Sequence, residues 1–295
     1  MNFDREKTET RLRLHVDRLA GLIGPRYLEK PKTIEATIGY LAGQWREMGY
    51  DVTEETYDAL GHEATNLIVE IPGGRRANEI MILGAHYDTV SITPGADDNA
   101  SAVAVLLETS RMLREISGQR TMRFVAFACE EPPYFNFDAM GSQTHAQRCR
   151  ERGDKVMGML CLEMVGYFRD DAGSQKVPAA IPKPLHRFFP QRGNFLAAVG
   201  NLRSWKLGWS FRRGFKRATR MKLFSISLPE SVHDIRLSDN SSFWDQGYPA
   251  LMLTDTSYLR NPHYHTPEDT PEKLDYRRMT EVTCGVASAL KRLLR

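Results

Sequence analysis

Two histidines and a scatter of carboxylates stand at the ends of apolar runs, where polar side chains have least structural reason to be. The run EIMILG at 79–84 leads into His86 and Asp88, FVAFAC at 124–129 ends in Glu130-Glu131, and LCL at 160–162 ends in Glu163. Asp97 and Asp98 lie in PGADDNAS at 94–101, and His263 and His265 lie in NPHYHTPEDT at 261–270. Mixed nitrogen and oxygen donors of this kind suit zinc or a similar transition metal. Metal-assisted hydrolysis needs such ligands together with a carboxylate free to act as general base.

Each cluster has a plainer explanation when taken singly. A strand-end histidine is more often a satisfied core residue than a ligand. Asp97 or Asp98 could cap the helix that follows, and Glu163 could pair with an arginine. A histidine pair in a loop is usually just solvated. The adjacent pairs are harder to dismiss, because buried like charges repel and call for cations or water. Prolines 132 and 133 prevent the strand from continuing past Glu130-Glu131. One of these glutamates can be a ligand and the other a base, and Asp98 could bridge two cations. Asp88, two residues after His86, falls on the same side of an extended chain and could fix the imidazole tautomer. Other signatures are missing: His62-Glu63 is followed by Asn66 where HExxH needs its second histidine, and there is no GxSxG elbow or Walker A loop.

The elements that must hold these residues alternate in period. Helical spacing covers 4–20 and 32–49, the latter with Ile34, Ile38, Leu41, Trp45 and Met48 on one face. Strand-like segments follow at 51–56, 66–71 and 79–84, with the IPGGRR turn at 71–76 joining the last two in the manner of a hairpin. A small-residue helix is expected at 99–115, an apolar strand at 121–128, a helix around 140–152, a strand at 156–162 and a closing helix at about 276–294. Alternating apolar strands and helices imply an α/β domain with helices on both sheet faces, where ligands bind beyond the carboxyl ends of strands. The proline-bearing stretch from about 169 to 230 reads as an elaboration on a single domain spanning 1–295.

Length and composition agree with one large enzyme domain. The chain has 295 residues and a net charge of +3, enough to bury a substantial core and too weakly charged to suggest a dedicated nucleic-acid or membrane role. Four widely spaced cysteines (129, 149, 161, 284) with no CxxC read as reduced thiols. The charged N-terminus lacks an apolar signal region, no apolar run is long enough to span a bilayer, and a cytoplasmic address is expected. The basic run FRRGFKRATRMK at 211–222 could bind nucleic acid or anionic lipid; the expectation is a solvated basic helix with Phe211 and Phe215 docked, hence no nucleic-acid or membrane partner. Asn99-Ala-Ser and Asn240-Ser-Ser match glycosylation acceptors by chance.

The combined pattern resembles the dizinc exopeptidases that include bacterial secreted leucyl aminopeptidases, glutamate carboxypeptidase II and glutaminyl cyclase. The matching pieces are HYD at 86–88, PGADDNAS at 94–101, Glu130-Glu131 followed by Gly141-Ser142, LEMVGY at 162–167, SDNSSFWDQGYPAL at 238–251 and HTPEDT at 265–270. They occur in the family's order across about residues 30–295. The resemblance implies a three-layer α/β/α sandwich around a mixed, centrally parallel sheet, and a peptide substrate. It implies two divalent cations, zinc by ligand type: His86 on one and His265 on the other, Asp98 bridging them, with Glu131 completing the shell of one ion and Glu163 that of the other. Glu130 would be the general base and Asp88 would orient His86. His265 rather than His263 heads the HTxxDT motif. Glu163 stands where many relatives carry aspartate, and Asn240 where they often carry histidine. Rival readings are glutaminyl cyclase-like acyl transfer at one zinc, a carboxypeptidase or dipeptidase, and a non-catalytic binding protein on the same fold. Tyr258, Arg260 and Tyr264 near His265 read as structural.

Overall fold

The structure, a computed structural model, describes residues 3–135 and 137–295. Eight strands form one sheet: β1 (Thr53–Ala59), β2 (His62–Ile71), β3 (Arg76–His86), β4 (Arg120–Phe127), β5 (Lys155–Glu163), β6 (Phe195–Asn201), β7 (Lys222–Leu228) and β8 (Ala250–Thr254). Their order is β1-β2-β4-β3-β5-β8-β6-β7. Strands β4, β3, β5 and β8 run parallel, β2 is antiparallel to β4 and to β1, and β6 is antiparallel to β8 with β7 parallel to it. The central strands are buried on both faces, as covered parallel strands must be, and their near-continuous apolar runs follow from that.

Helices α1 (Arg5–Val16), α2 (Pro31–Glu47), α3 (Ala102–Leu113), α5 (Trp205–Phe215) and α7 (Tyr276–Leu293) cover one face. Helices α4 (Gly141–Arg152) and α6 (Asn240–Asp245) cover the other. The three-layer sandwich with a mixed, centrally parallel sheet is therefore the observed architecture. Helix α7 shows the logic of a core helix: Met279, Val282, Val286, Leu290 and Leu293 are buried at helical spacing, and Asp275 caps it by accepting from Arg278 N–H at 2.9 Å.

Two expectations are corrected. The IPGGRR turn does not join a hairpin, because β4 lies between β2 and β3. The hairpin is β1–β2, turning at Leu60-Gly61. At Gly73 a Cβ would come within 2.5 Å of Arg120 backbone, so the start of β4 packs directly against the glycine turn that sequence proximity assigns to a hairpin. The stretch 169–230, in turn, is no appendage to the sheet: it supplies β6, α5 and β7, the sheet's last two strands in chain-distal order and the helix that covers them. All four cysteines are free and buried. Asn99 and Asn240 are fully buried, so neither is open to glycosylation in the folded chain.

Candidate metal centre

Strand β3 delivers His86 as its last residue, fully buried. Its Nε2 lies 3.4 Å from Asp98 Oδ1, 3.4 Å from Glu163 Oε2 and 3.9 Å from Glu130 Oε2, and its Nδ1 lies 3.4 Å from Asp88 Oδ1. Asp98 turns its other oxygen to His265, whose Nε2 is 3.1 Å from Asp98 Oδ2 and 3.2 Å from Glu131. Two sets of donors result, His86–Asp98–Glu163 and Asp98–Glu131–His265, each with its ligand atoms within 4.8 Å of one another. They share Asp98. His263 belongs to neither set; its ring meets Tyr167 edge-on instead.

The loops are fixed by backbone hydrogen bonds to buried carboxylates. Asp88 accepts from the N–H groups of Glu130 and Glu131 at 3.1 and 3.0 Å, so the residue expected only to orient His86 also ties the β4 loop to the β3 loop. Neither Asp97 nor Asp98 caps a helix. Asp97 accepts from Gly166 N–H and Asn261 Nδ2 at 2.9 and 2.8 Å, and Asp269 accepts from Asp97 and Asp98 N–H. Asn99 brackets Glu163, donating to Leu162 C=O and accepting from Met164 N–H. Glu163 pairs with no arginine among the described residues; it accepts from Ser238 Oγ at 2.6 Å. Gly95 sits at φ +64° with its α-carbon so enclosed that a Cβ would lie 2.3 Å from Thr89 and 2.4 Å from Asp98 C=O, and only glycine fits there.

Several positioning residues carry no local sequence signal. Arg26 is fully buried and donates to the carbonyls of Leu19, Gly24, Tyr87, Pro94 and Gly95, clamping the loops that follow β3. Arg260 is buried and donates to Gln175, Tyr167 C=O and Phe195 C=O. Tyr264 stacks on the His265 ring at 3.8 Å. Asp255 accepts from Tyr167 and Ser257 N–H. Asn240 points away from the cluster, donating to Ile235 C=O, whereas its neighbours Ser238 and Asp239 face it.

Electrostatics set this cluster apart. Burial, with the charges of Glu163, Glu131 and Asp239, raises the Glu130 carboxyl well above the usual range against the pull of His86. Burial and Asp98 push Glu131 up to about 8. Burial pushes Asp239 up to about 7. For His86 burial works downward, and the carboxylates of Glu130, Glu163, Asp88 and Asp98 overcome it, so its pKa is raised. In the same way Asp98 and Glu131 lift His265 to about 10. Carboxylates whose protonation is favoured, around imidazoles whose protonation is favoured, mark a pocket short of positive charge. The buried Nδ1 and Nε2 of His86 and Oδ1 of Asp98 have no hydrogen-bond partner among the described residues. Buried polar atoms are rarely left so. Donor type, shared carboxylate and orphaned atoms all fit one or two divalent cations.

A cavity of about 300 Å³ opens onto Asp98, Glu130, Glu131, Glu163 and His265. Its walls are apolar, with Phe195, Val199, Phe224, Ile226, Leu228 and Met252 supplied by β6, β7 and β8.

The pattern of peptidase family M28 matches residues 66–290. YfbL of Escherichia coli K12, described as uncharacterized, is 33% identical over 294 residues, covering 97% of this chain and 88% of its own. Leucine aminopeptidase 1 of Trichophyton rubrum is 29% identical over 230 residues, covering 73% of this chain and 54% of its own, so this chain spans about half the length of the aminopeptidase relative. Among solved structures, a zinc aminopeptidase from Bacillus subtilis superposes with TM-score 0.75 at 15% identity, covering 97% and 95% of the two chains. The glutaminyl cyclase of Fimbriiglobus ruber superposes with TM-score 0.72 at 19% identity, covering 99% and 96%.

Proposed function

This chain belongs to peptidase family M28, and we propose that it is an aminopeptidase that removes N-terminal residues from peptides at a two-cation centre, most naturally zinc, within one catalytic domain spanning 1–295. The observation that carries the reading is Asp98, whose two oxygens face two different histidines, each backed by its own glutamate. His86 and Glu163 would hold one ion, His265 and Glu131 the other, and Asp98 both. The leucine aminopeptidase relative supports the reaction type.

Bound there, the cations would supply Lewis acidity toward the scissile carbonyl and toward water. The chain's own residues do the rest. Glu130 borders the cavity but belongs to neither donor set, which leaves its carboxylate free to take a proton from the attacking water and return it to the leaving amine. Burial and the neighbouring carboxylates raise its pKa, the direction that favours holding the proton between the two transfers. Asp88 holds the Glu130 and Glu131 backbone and faces the second nitrogen of His86, positioning three site residues at once. The apolar cavity would receive an apolar terminal side chain and exclude water from the reacting carbonyl.

A second reading, acyl transfer at a single zinc, draws support from the fold likeness to the Fimbriiglobus ruber glutaminyl cyclase. His86 beside Asp98 and Glu163 favours the first, because a one-ion site has no use for that second donor set. Metal content and hydrolysis of an aminoacyl p-nitroanilide panel, for wild type and Glu130→Gln, separate the two. Two zincs per chain with hydrolysis reduced on the order of 10²–10⁴-fold in a metal-retaining mutant is the expected result. One metal and no hydrolysis would move the assignment to acyl transfer, and no metal after zinc addition would sink both.

A further inference from the structure

Helix α5 buries one face in the ordinary way. Leu207, Gly208, Phe211, Gly214 and Phe215 turn inward. Gly214 lies so close to α7 that a Cβ would come within 2.4 Å of Ala289 Cα, and its carbonyl accepts from Ser288 Oγ. That contact locks the rotation of the helix, so what faces outward must face outward. Phe211 and Phe215 are docked, as the basic run 211–222 implies. The outward stripe is not the polar surface that a docked helix normally shows. It reads Trp205, Lys206, Trp209, Arg212 and Arg213, continued by Leu202 in the turn before the helix and Lys216 just after it, with Leu202 59%, Trp205 57% and Trp209 53% exposed.

Charge is as one-sided as the apolar content. Residues 202–222 hold eight lysines and arginines and no aspartate or glutamate, so the chain's +3 leaves −5 on everything else. Lys206 and Arg213 lie over the faces of Trp205 and Trp209 at 5.6 and 4.5 Å. At the C-terminal end of α5, Arg217, Lys291, Arg292 and Arg295 line a notch of about 220 Å³, in which the buried Nε of Arg292 has no hydrogen-bond partner among the described residues. Glu281, the acidic side chain that reaches this end, is already engaged by Arg5 at 2.7 Å and Thr219 at 2.5 Å.

We propose that the outward face of α5 is a docking surface for an anionic lipid bilayer, on which Leu202, Trp205 and Trp209 sit among the acyl-chain boundary while the surrounding cations meet headgroup phosphates. Tryptophan favours the interface because its body is apolar and its N–H is polar. Lysine and arginine stems lie along apolar surface with their charges at the phosphates. Each such cation adds to attraction by an anionic leaflet, and apolar insertion with several of them makes a two-signal anchor. Single-stranded nucleic acid also uses cations and aromatics, but in a groove that tracks the strand. The outward side of a helix is a ridge, and Leu202 offers nothing for a base to stack on. Attachment is peripheral: no helix among the described residues is long and apolar enough to cross a membrane.

The probe is the full chain with vesicles of phosphatidylcholine doped with phosphatidylglycerol, against pure phosphatidylcholine. Of the four tryptophans, Trp45 and Trp244 are already buried, so a blue shift and protection from acrylamide report on Trp205 and Trp209. Expected are co-sedimentation and a blue shift with the anionic vesicles alone, both weakened by salt. Trp205→Ser with Trp209→Ser should abolish the insertion signal and weaken co-sedimentation. Arg212→Gln with Arg213→Gln should weaken binding roughly thirtyfold. Thermal unfolding of each variant checks that the fold is kept, and the wild-type vesicle comparison decides the matter even if a variant fails to fold. Absence of binding to anionic vesicles, equal binding to neutral ones, or tighter binding to a single-stranded oligonucleotide at the same salt would overturn the proposal.

Discussion

The two ends of strand β3 treat glutamate in opposite ways. At the N-terminal end Glu79 is clamped by Arg76 at 2.5 Å, Arg120 at 2.7 Å and Lys155 at 2.9 Å, the first from its own strand and the others from β4 and β5. At the C-terminal end of the same three strands stand Asp88, Glu130, Glu131 and Glu163, joined by Asp98, with two histidines and, among the described residues, no lysine or arginine in bonding reach. Arg26 feels the charges of Asp88, Asp98 and Glu131, yet every hydrogen bond its guanidinium makes goes to a backbone carbonyl. A carboxylate with its own cations stabilises the fold. A cluster without them is stable only with a ligand that brings the charge, and that difference separates a structural site from a chemical one.

The largest test of this contrast is removal of the shared carboxylate. Asp98→Ala should abolish zinc binding and cut peptide hydrolysis on the order of a thousandfold, since several kcal/mol of transition-state charge stabilisation goes with the ions. Metal analysis of the purified variant checks it directly. Retention of two ions without Asp98 would mean that the cluster's charge deficit is met some other way, and the contrast between strand ends would collapse.

Metal removal should be felt next. Ions that bind only the folded chain stabilise it by mass action, about 4 kcal/mol when free zinc is about a thousandfold above Kd. For a domain of this size that corresponds to roughly 10 °C in Tm. Chelation should lower Tm and added zinc should restore it, by scanning calorimetry or fluorescence, while Asp98→Ala should respond to neither. An equal zinc response in the variant would place the binding elsewhere.

How far the sequence discloses this arrangement depends on whether the evidence is local. His86, Glu131 and Glu163 each break an apolar run, and Asp97-Asp98 and Glu130-Glu131 are adjacent like charges; such features are visible without a fold. Arg26 has no such mark: it is an ordinary charged residue in a loop, and its role comes from partners such as Tyr87, 61 positions away. Asp269 stands in the HTxxDT motif, but its hold on the Asp97 and Asp98 N–H groups, 172 and 171 positions away, is not written there. Strand order fails for the same reason. β2 and β3 are neighbours in sequence, and nothing local says that β4 will enter between them. The stretch 169–230 is obscure because a proline-bearing loop fills its first part and FLAAVGN of β6 shows no alternation; β7 does alternate, with Phe224, Ile226 and Leu228 lining the cavity. The outward tryptophans of α5 are the reverse case. Their types are plain in the sequence, but only the close contact of Gly214 with α7 says which way they point.

The smallest effect belongs to the compensated end, and it sharpens the contrast by its sign. Hydrogen bonds from Lys155 and Arg76, then Arg120, outweigh the opposing desolvation and hold Glu79 down to about 2 from an ordinary 4.5. A carboxylate depressed in the folded state contributes stability that is fully present above its unfolded pKa and is lost as pH falls through the folded one. Glu79→Gln should therefore lower Tm by a few degrees at most at neutral pH, since ion pairs near the surface are worth little. The gap between variant and wild type should close as pH falls from about 4.5 toward 2. Paired Tm measurements across that range test it. The variant should bind zinc and hydrolyse peptide as wild type does, because Glu79 lies at the far end of β3 from His86. A gap that widened on acidification would show that the three cations, and not the carboxylate, govern this end, and that their mutual repulsion is what Glu79 holds in check.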